Sequence, residues 1–239
     1  MERYVPPMSK RWLTPLYDPL VRLLRMERHH RTLLDLAELK PEERVLDIGT
    51  GTGNLALLLK RRHPDVGVVG IDPDPGALDR ARRKAVRTGT EVAFERGVAE
   101  RLPFPDHSFD RVVSAFMFHH LGATAKRDGL GEVRRVLRRG GSLHLVDFGG
   151  AVTAGDGFAA RLQRHHHRMA DNLGHRVIEL LGEAGFDDVA EVDSCVTRLG
   201  RITHYRASVD DAPRAAAEGL NHDRDAPPGG GSVADRPPS

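Results

Sequence analysis

A chain of 239 residues is long enough for one sizeable α/β domain with tails. Its 36 lysines and arginines nearly cancel its 34 aspartates and glutamates, and the net +2 is too small to argue for a nucleic-acid partner. A single cysteine, Cys195, excludes an intramolecular disulfide framework and a CxxC metal site, which fits a reducing cytoplasm.

The N-terminus, MERYVPPMSKRW, lacks the apolar core of a signal peptide. No run approaches the ~18 apolar residues that a membrane span needs, so a soluble protein is expected. In WLTPLYDPLVRLLRMERHHRTLLDLAEL, leucines 20, 23, 24, 33, 34 and 36 recur at helical spacings, interrupted by Pro15 and Pro19. Residues 1–40 are therefore predicted as a helical lid over one edge or the mouth of the domain.

From Arg44 onward short apolar runs alternate with helix-like segments, the signature of βαβ units building a parallel sheet. The strands read as RVLDI, VGVVGID, EVAFERG, DRVVSAF and SLHLVDF. Helices are predicted over Asn54–Arg62, Pro75–Thr88 and a segment ending EVRRVLRRGG, where Gly140 and Gly141 should stop the helix. After residue 150 comes one long helical region. GEAGFDDVAEVDS and RITHYRAS then look like two strands in hairpin-like succession, with Gly185 at a helix end. Residues 41–208 form the expected domain. Residues 209–239 have few large apolar side chains and many Pro, Gly and charges, and are predicted to be a disordered tail.

The stretch VLDIGTGTGN places Gly49, Gly51 and Gly53 directly after the first strand. Glycines there let a ligand approach the backbone at a helix N-terminus. Dinucleotide enzymes use G-x-G-x-x-G, but here Asn54 occupies the third glycine position, and no Gly-Lys-Ser/Thr follows to make a P-loop. Asp47, just before the glycines, would repel a pyrophosphate and attract a ligand carrying an amino group. Asp72 ends the second strand, where a carboxylate can accept both hydroxyls of an adenosine ribose. An adenosine that carries an amino acid instead of phosphate is S-adenosylmethionine.

VLDIGTGTGN, GIDPDPGALDRAR, AERLPFPDHSFDRVVSAFMFHHL and RVLRRGGSLHLVDF together resemble the successive motifs of class I S-adenosylmethionine-dependent methyltransferases. The branch they resemble most contains the ubiquinone/menaquinone biosynthesis enzymes and many small-molecule methyltransferases. The resemblance covers roughly residues 12 to 206. It implies a Rossmann-like seven-stranded sheet in the order 3-2-1-4-5-7-6, strand seven antiparallel, with helices on both faces. It further implies that Asp47, Gly49, Thr50, Gly51 and Gly53 surround the methionine part of the cofactor, that Asp72 with Pro73 holds the ribose, and that Ala99, Glu100 and Ser114 complete the cofactor site. Val98 stands where many relatives carry the acidic residue that accepts the adenine amino group. Adenine recognition is therefore expected to lean on backbone near Ala99 and on packing by Ile71 or Leu102.

Methyl transfer from a sulfonium is an in-line displacement that depends chiefly on holding the acceptor in place. In open α/β sheets the acceptor lies beyond the carboxyl ends of the strands, which selects Ser114, Phe116, Met117, Phe118, His119, His120, Asp147 and Phe148. His119 or His120 is a candidate general base, with an active-site wall or a loop-orienting hydrogen bond as the competing roles. Tyr17 resembles a lid position whose ring covers the sulfonium. His167, Asp171 and His175 have ligand spacing only if their helix runs unbroken past Asn172 and Gly174, and no metal is expected.

SAFM replaces the Asn/Asp-Pro-Pro-Tyr/Phe segment of base-amine methyltransferases, and one late cysteine suits neither cytosine C5 nor arsenic methylation. A small, partly apolar acceptor methylated on O, C or N is the leading expectation. A non-catalytic cofactor-binding protein and an RNA methyltransferase, the latter resting on RARRKAVR at 80–87, stand as alternatives. A homodimer is also open.

Overall fold

The structure, a computed structural model, describes residues 26–150, 172, 174–197 and 200–210. Helix α1 (Met26–Leu36) precedes strand β1 (Arg44–Ile48), α2 (Asn54–Arg62), β2 (Gly67–Asp72), α3 (Pro75–Thr88) and β3 (Ala93–Arg96). Next come β4 (Phe109–Ala115), a 3-10 turn (Phe118–His120), α4 (Ala123–Val136) and β5 (Leu137–Phe148). Helix α5 (Arg176–Glu183) and strands β6 (Asp187–Thr197) and β7 (Gly200–Ser208) close the described chain.

All seven strands form one sheet in the order β3-β2-β1-β4-β5-β7-β6, with β7 antiparallel to both neighbours, as the resemblance implies. Strand β1 has four consecutive buried residues because helices cover both faces. Its side chains divide accordingly. Val45 joins the core under α1, α2 and α3, with Leu33, Leu59 and Leu78. Leu46 and Ile48 face the opposite core, with Leu130 of α4, Leu181 of α5 and Tyr205 of β7.

Local chemistry fixes the ends nearest the site. Asp74 caps α3 by accepting the Gly76 amide at 2.8 Å, Pro75 supplies the first helical residue, and Gly89 at φ +60° ends the helix. Helix α2 starts at Gly53, φ +78°, without a side-chain cap, so its first amides remain directed at the loop above β1.

One expectation is corrected. Helix α4 ends at Val136, ahead of Gly140 and Gly141, and β5 begins at once. The glycines lie in an irregularity of β5, where Leu137 pairs with Phe109 and Ser142 with Arg111. A Cβ at Gly141 would lie 2.8 Å from the Arg138 carbonyl oxygen, so the bulge requires glycine there. Val209, inside the predicted tail, is held by the sheet: the Gly140 amide donates to its carbonyl, its amide donates to the Gly141 carbonyl, and its side chain is buried. Gly185, φ +81°, follows α5 as expected. The expected long helix after residue 150 and most of the predicted lid and tail lie outside the described residues.

Candidate active site

The turn between β1 and α2 carries Gly49, Gly51 and Gly53 at φ +72°, +54° and +78°. Nothing stands closer than 4.0 Å to a Cβ built on Gly51, so backbone is open to a ligand there. Gly49 lies under Met117, whose Cγ would be 2.3 Å from such a Cβ. Gly53 faces Ala81 and Phe94, so the packing of α3 on the sheet leaves no room for a side chain there.

Asp47 is buried and accepts the Thr50 hydroxyl at 2.6 Å. Burial pushes its pKa up from 3.8 to about 7, against the Thr50 and Ala56 hydrogen bonds and with help from the nearby Asp72 charge. Asp72 accepts the Gly51 amide at 2.9 Å on one oxygen and the Asp74 amide at 2.8 Å on the other, and burial raises its pKa too. Its carboxylate ties the glycine turn to the end of β2 and keeps further lone pairs for another donor.

Beside the turn lies a small cavity, about 370 Å³ of empty space when the open solvent at its mouth is included. Asp47, Gly49 and Thr50 line one side, Met26 and His30 of α1 another, and Phe116 a third. Phe116 adopts φ +55°, a strained conformation for an aromatic residue, directly after β4. Its ring packs at 5.4 Å from Phe148, 6.0 Å from His29 and 6.2 Å from His30.

His119 is held from two directions by Asp147: the backbone amide donates to Oδ2 at 2.9 Å and Nδ1 meets Oδ1 at 2.5 Å. An Nδ1–H donated to this carboxylate leaves the Nε2 lone pair as the basic site. His120 stacks on His119, ring centroids 4.0 Å apart.

The structure thus brings together Asp47, Gly49, Thr50, Gly51, Asp72 and Phe116, and gives other expected site residues contacts within the protein. The Ser114 hydroxyl donates to the Ile48 carbonyl at 2.9 Å and is buried between strands, so it braces the strand end. Phe118 packs in the core with Lys126 above its ring at 5.3 Å. Asp147 is fully buried with both oxygens engaged by His119 and by the Phe148 amide. Ile71 and Leu102 are 1% and 4% exposed and pack within the core.

Ala99 packs at the Gly129 backbone of α4, and Val98 is 37% exposed at the rim beside partly exposed Glu100. Pro73 stands half-buried between Asp72 and Asp74. Tyr17, His167 and Asp171 lie outside the described residues. Among the described residues no cluster of His, Cys, Asp or Glu could hold a metal, and no helix is long and apolar enough to cross a membrane.

Met26 and His30 were not singled out by sequence reasoning. Their signal was the polar pair His29–His30 breaking an otherwise leucine-patterned helix face.

The methyltransferase-domain family matches residues 45–141, from β1 to the bulge in β5. The demethylmenaquinone methyltransferase of Thermus thermophilus is 47% identical over 139 residues, covering 57% of this chain and 62% of that protein. The segment from β1 to β5 is therefore similar to a methyltransferase domain. The Deinococcus radiodurans demethylmenaquinone methyltransferase is 40% identical to this chain over 157 residues, 64% of each. The chain spans 62 to 64% of the length of these curated relatives. Among solved structures, the Bacillus subtilis YcgJ protein superposes with a TM-score of 0.64 at 21% identity, covering 78% of this chain and 100% of that one, a likeness of fold.

The residues of this site fit S-adenosylmethionine. A buried carboxyl whose charge lacks a cationic partner suits an ammonium, and the open backbone at Gly51 beside the Asp72 carboxylate suits a ribose bearing two hydroxyls.

Proposed function

We propose that this chain is an S-adenosylmethionine-dependent methyltransferase acting on a small, partly apolar acceptor, and that a demethylated menaquinone-type quinol is the first acceptor to test. The observation that carries the reading is the cavity lined by Asp47, Gly49 and Thr50, beside a glycine turn whose Gly51 amide is held by Asp72. When bound, the cofactor supplies a methyl group activated on a sulfonium. The chain supplies position, burial and a route for a proton.

Phe116, Phe148 and the covering α1 offer an apolar wall suited to a ring. A quinol ring carbon becomes a nucleophile when a ring hydroxyl loses its proton. His119, with Nδ1 fixed on Asp147, is assigned to take that proton at Nε2. Asp147 holds the imidazole tautomer and stabilises the imidazolium, as a buried carboxylate does for a catalytic histidine. The basic stretch 80–87 serves α3: Arg82 donates to the Phe94 carbonyl and Lys84 donates to Thr52 and Asn54, so no nucleic-acid surface is invoked.

The experiment is incubation of the protein with S-adenosylmethionine and a reduced demethylmenaquinone, followed by mass spectrometry of quinones and S-adenosylhomocysteine. Formation of both products in equal amounts supports the reading. S-adenosylhomocysteine formation only with other phenols or amines would retain the enzyme and replace the acceptor. Absence of any product across such a panel would overturn the activity.

A further inference from the structure

His30 has no role in the scheme above, although its position demands one. Helix α1 turns Leu33 and Leu34 into the core, and one turn earlier His29 and His30 meet Phe116. The two imidazoles are in different surroundings. His29 lies against His204, ring centroids 5.6 Å apart, whose Nε2 is 3.3 Å from the His29 carbonyl oxygen. His30 is 7% exposed and lines the cavity, and among the described residues its ring nitrogens have no hydrogen-bond partner. A ring that faces the cavity with no protein partner for its nitrogens is open to a ligand group.

The charges around it define which ligand group. Glu27 and His29 are its neighbours on α1, and Asp47 faces the same cavity from β1. Burial keeps His30 neutral, with its pKa lowered to about 4, and a neutral imidazole still donates one N–H.

The amino-acid end of the cofactor carries an ammonium and a carboxylate. Asp47 suits the first and repels the second, so the carboxylate needs a donor away from Asp47. Thr50 spends its hydroxyl on Asp47, and Thr52 and Asn54 have partners of their own, Lys84 among them. Building on the S-adenosylmethionine reading, we propose that His30 receives the α-carboxylate of the cofactor, so that α1 contributes a binding residue as well as a cover.

The test is calorimetric titration with three ligands: S-adenosylhomocysteine, its decarboxylated analogue that keeps the amine, and 5′-methylthioadenosine, which lacks both groups. For His30→Ala the affinity for S-adenosylhomocysteine should fall about tenfold or more, the value of a charge-assisted hydrogen bond, while the other two ligands change by less than about twofold. His30→Gln keeps an N–H donor and should recover most of the loss, which also covers the case in which the alanine variant packs poorly. An equal loss for all three ligands, or none for S-adenosylhomocysteine, would overturn the assignment of His30 alone. A wild-type protein that binds none of the three would overturn the cofactor reading and this inference with it.

Discussion

Replacing Asp47 by Asn should make the ligand-free protein more stable at neutral pH while weakening its cofactor site. Asp47 is 1% exposed, and burial moves its pKa from 3.8 to about 7. A carboxyl with a raised native pKa is bound to its proton in the folded state while the unfolded chain has lost it. Stability is therefore greatest below 3.8 and falls as pH rises, at ~1.4 kcal/mol per pH unit, until the native group ionises near 7. Between pH 5.5 and 8 the wild type should lose about 2 kcal/mol that Asp47→Asn does not lose. Urea unfolding of both proteins across that window measures the difference, and titrating groups not coupled to Asp47 cancel in it. A stability gap that stays constant from pH 5.5 to 8 would refute the reasoning. The same substitution should weaken S-adenosylhomocysteine binding at least tenfold, because a buried charge partner is removed.

Three further outcomes follow from the geometry. His144 has its pKa lowered to about 3, first by burial, so its contribution to stability is present above 6.5 and lost as pH falls below that value; His144→Gln should flatten the urea-measured decline between pH 6.5 and 4. Gly149→Ala should destabilise by about 1–3 kcal/mol, read as a lowered urea midpoint, since φ is +141° and the new Cβ would lie 2.3 Å from the Asn172 carbonyl oxygen. His119→Ala should lower kcat about a hundredfold or more while S-adenosylhomocysteine affinity, followed by calorimetry, changes by less than about twofold; an unchanged kcat would return His119 to a wall role.

Much of the fold was written in local chemistry. The apolar runs from Val45 to Ile48 and from Val68 to Ile71 can only be strands covered on both faces, and Gly53, Asp74–Pro75 and Gly89 set helix boundaries to the residue. The cofactor end of the site was legible for the same reason, because Asp47, the glycine turn and Asp72 lie at fixed offsets from two strand ends. What escaped depends on pairing between distant segments. Gly140 and Gly141 resemble a helix stop until β4 draws Leu137 into pairing with Phe109. Ser114 reads as a ligand group until the Ile48 carbonyl, 66 residues away, accepts its proton. His30 enters the cavity because Leu33 and Leu34 set the rotation of α1 on the core, which periodicity cannot orient beforehand.

The central claim is that the cavity holds S-adenosylmethionine and passes its methyl group to a small molecule. Its most direct test is mass spectrometry of a small-molecule extract incubated with the protein and trideuteromethyl S-adenosylmethionine, with Asp72→Ala run in parallel. The account predicts a labelled low-molecular-weight product with the wild type and a large loss of it with the variant. Label absent from every small molecule, or equal labelling by the two proteins, would contradict it.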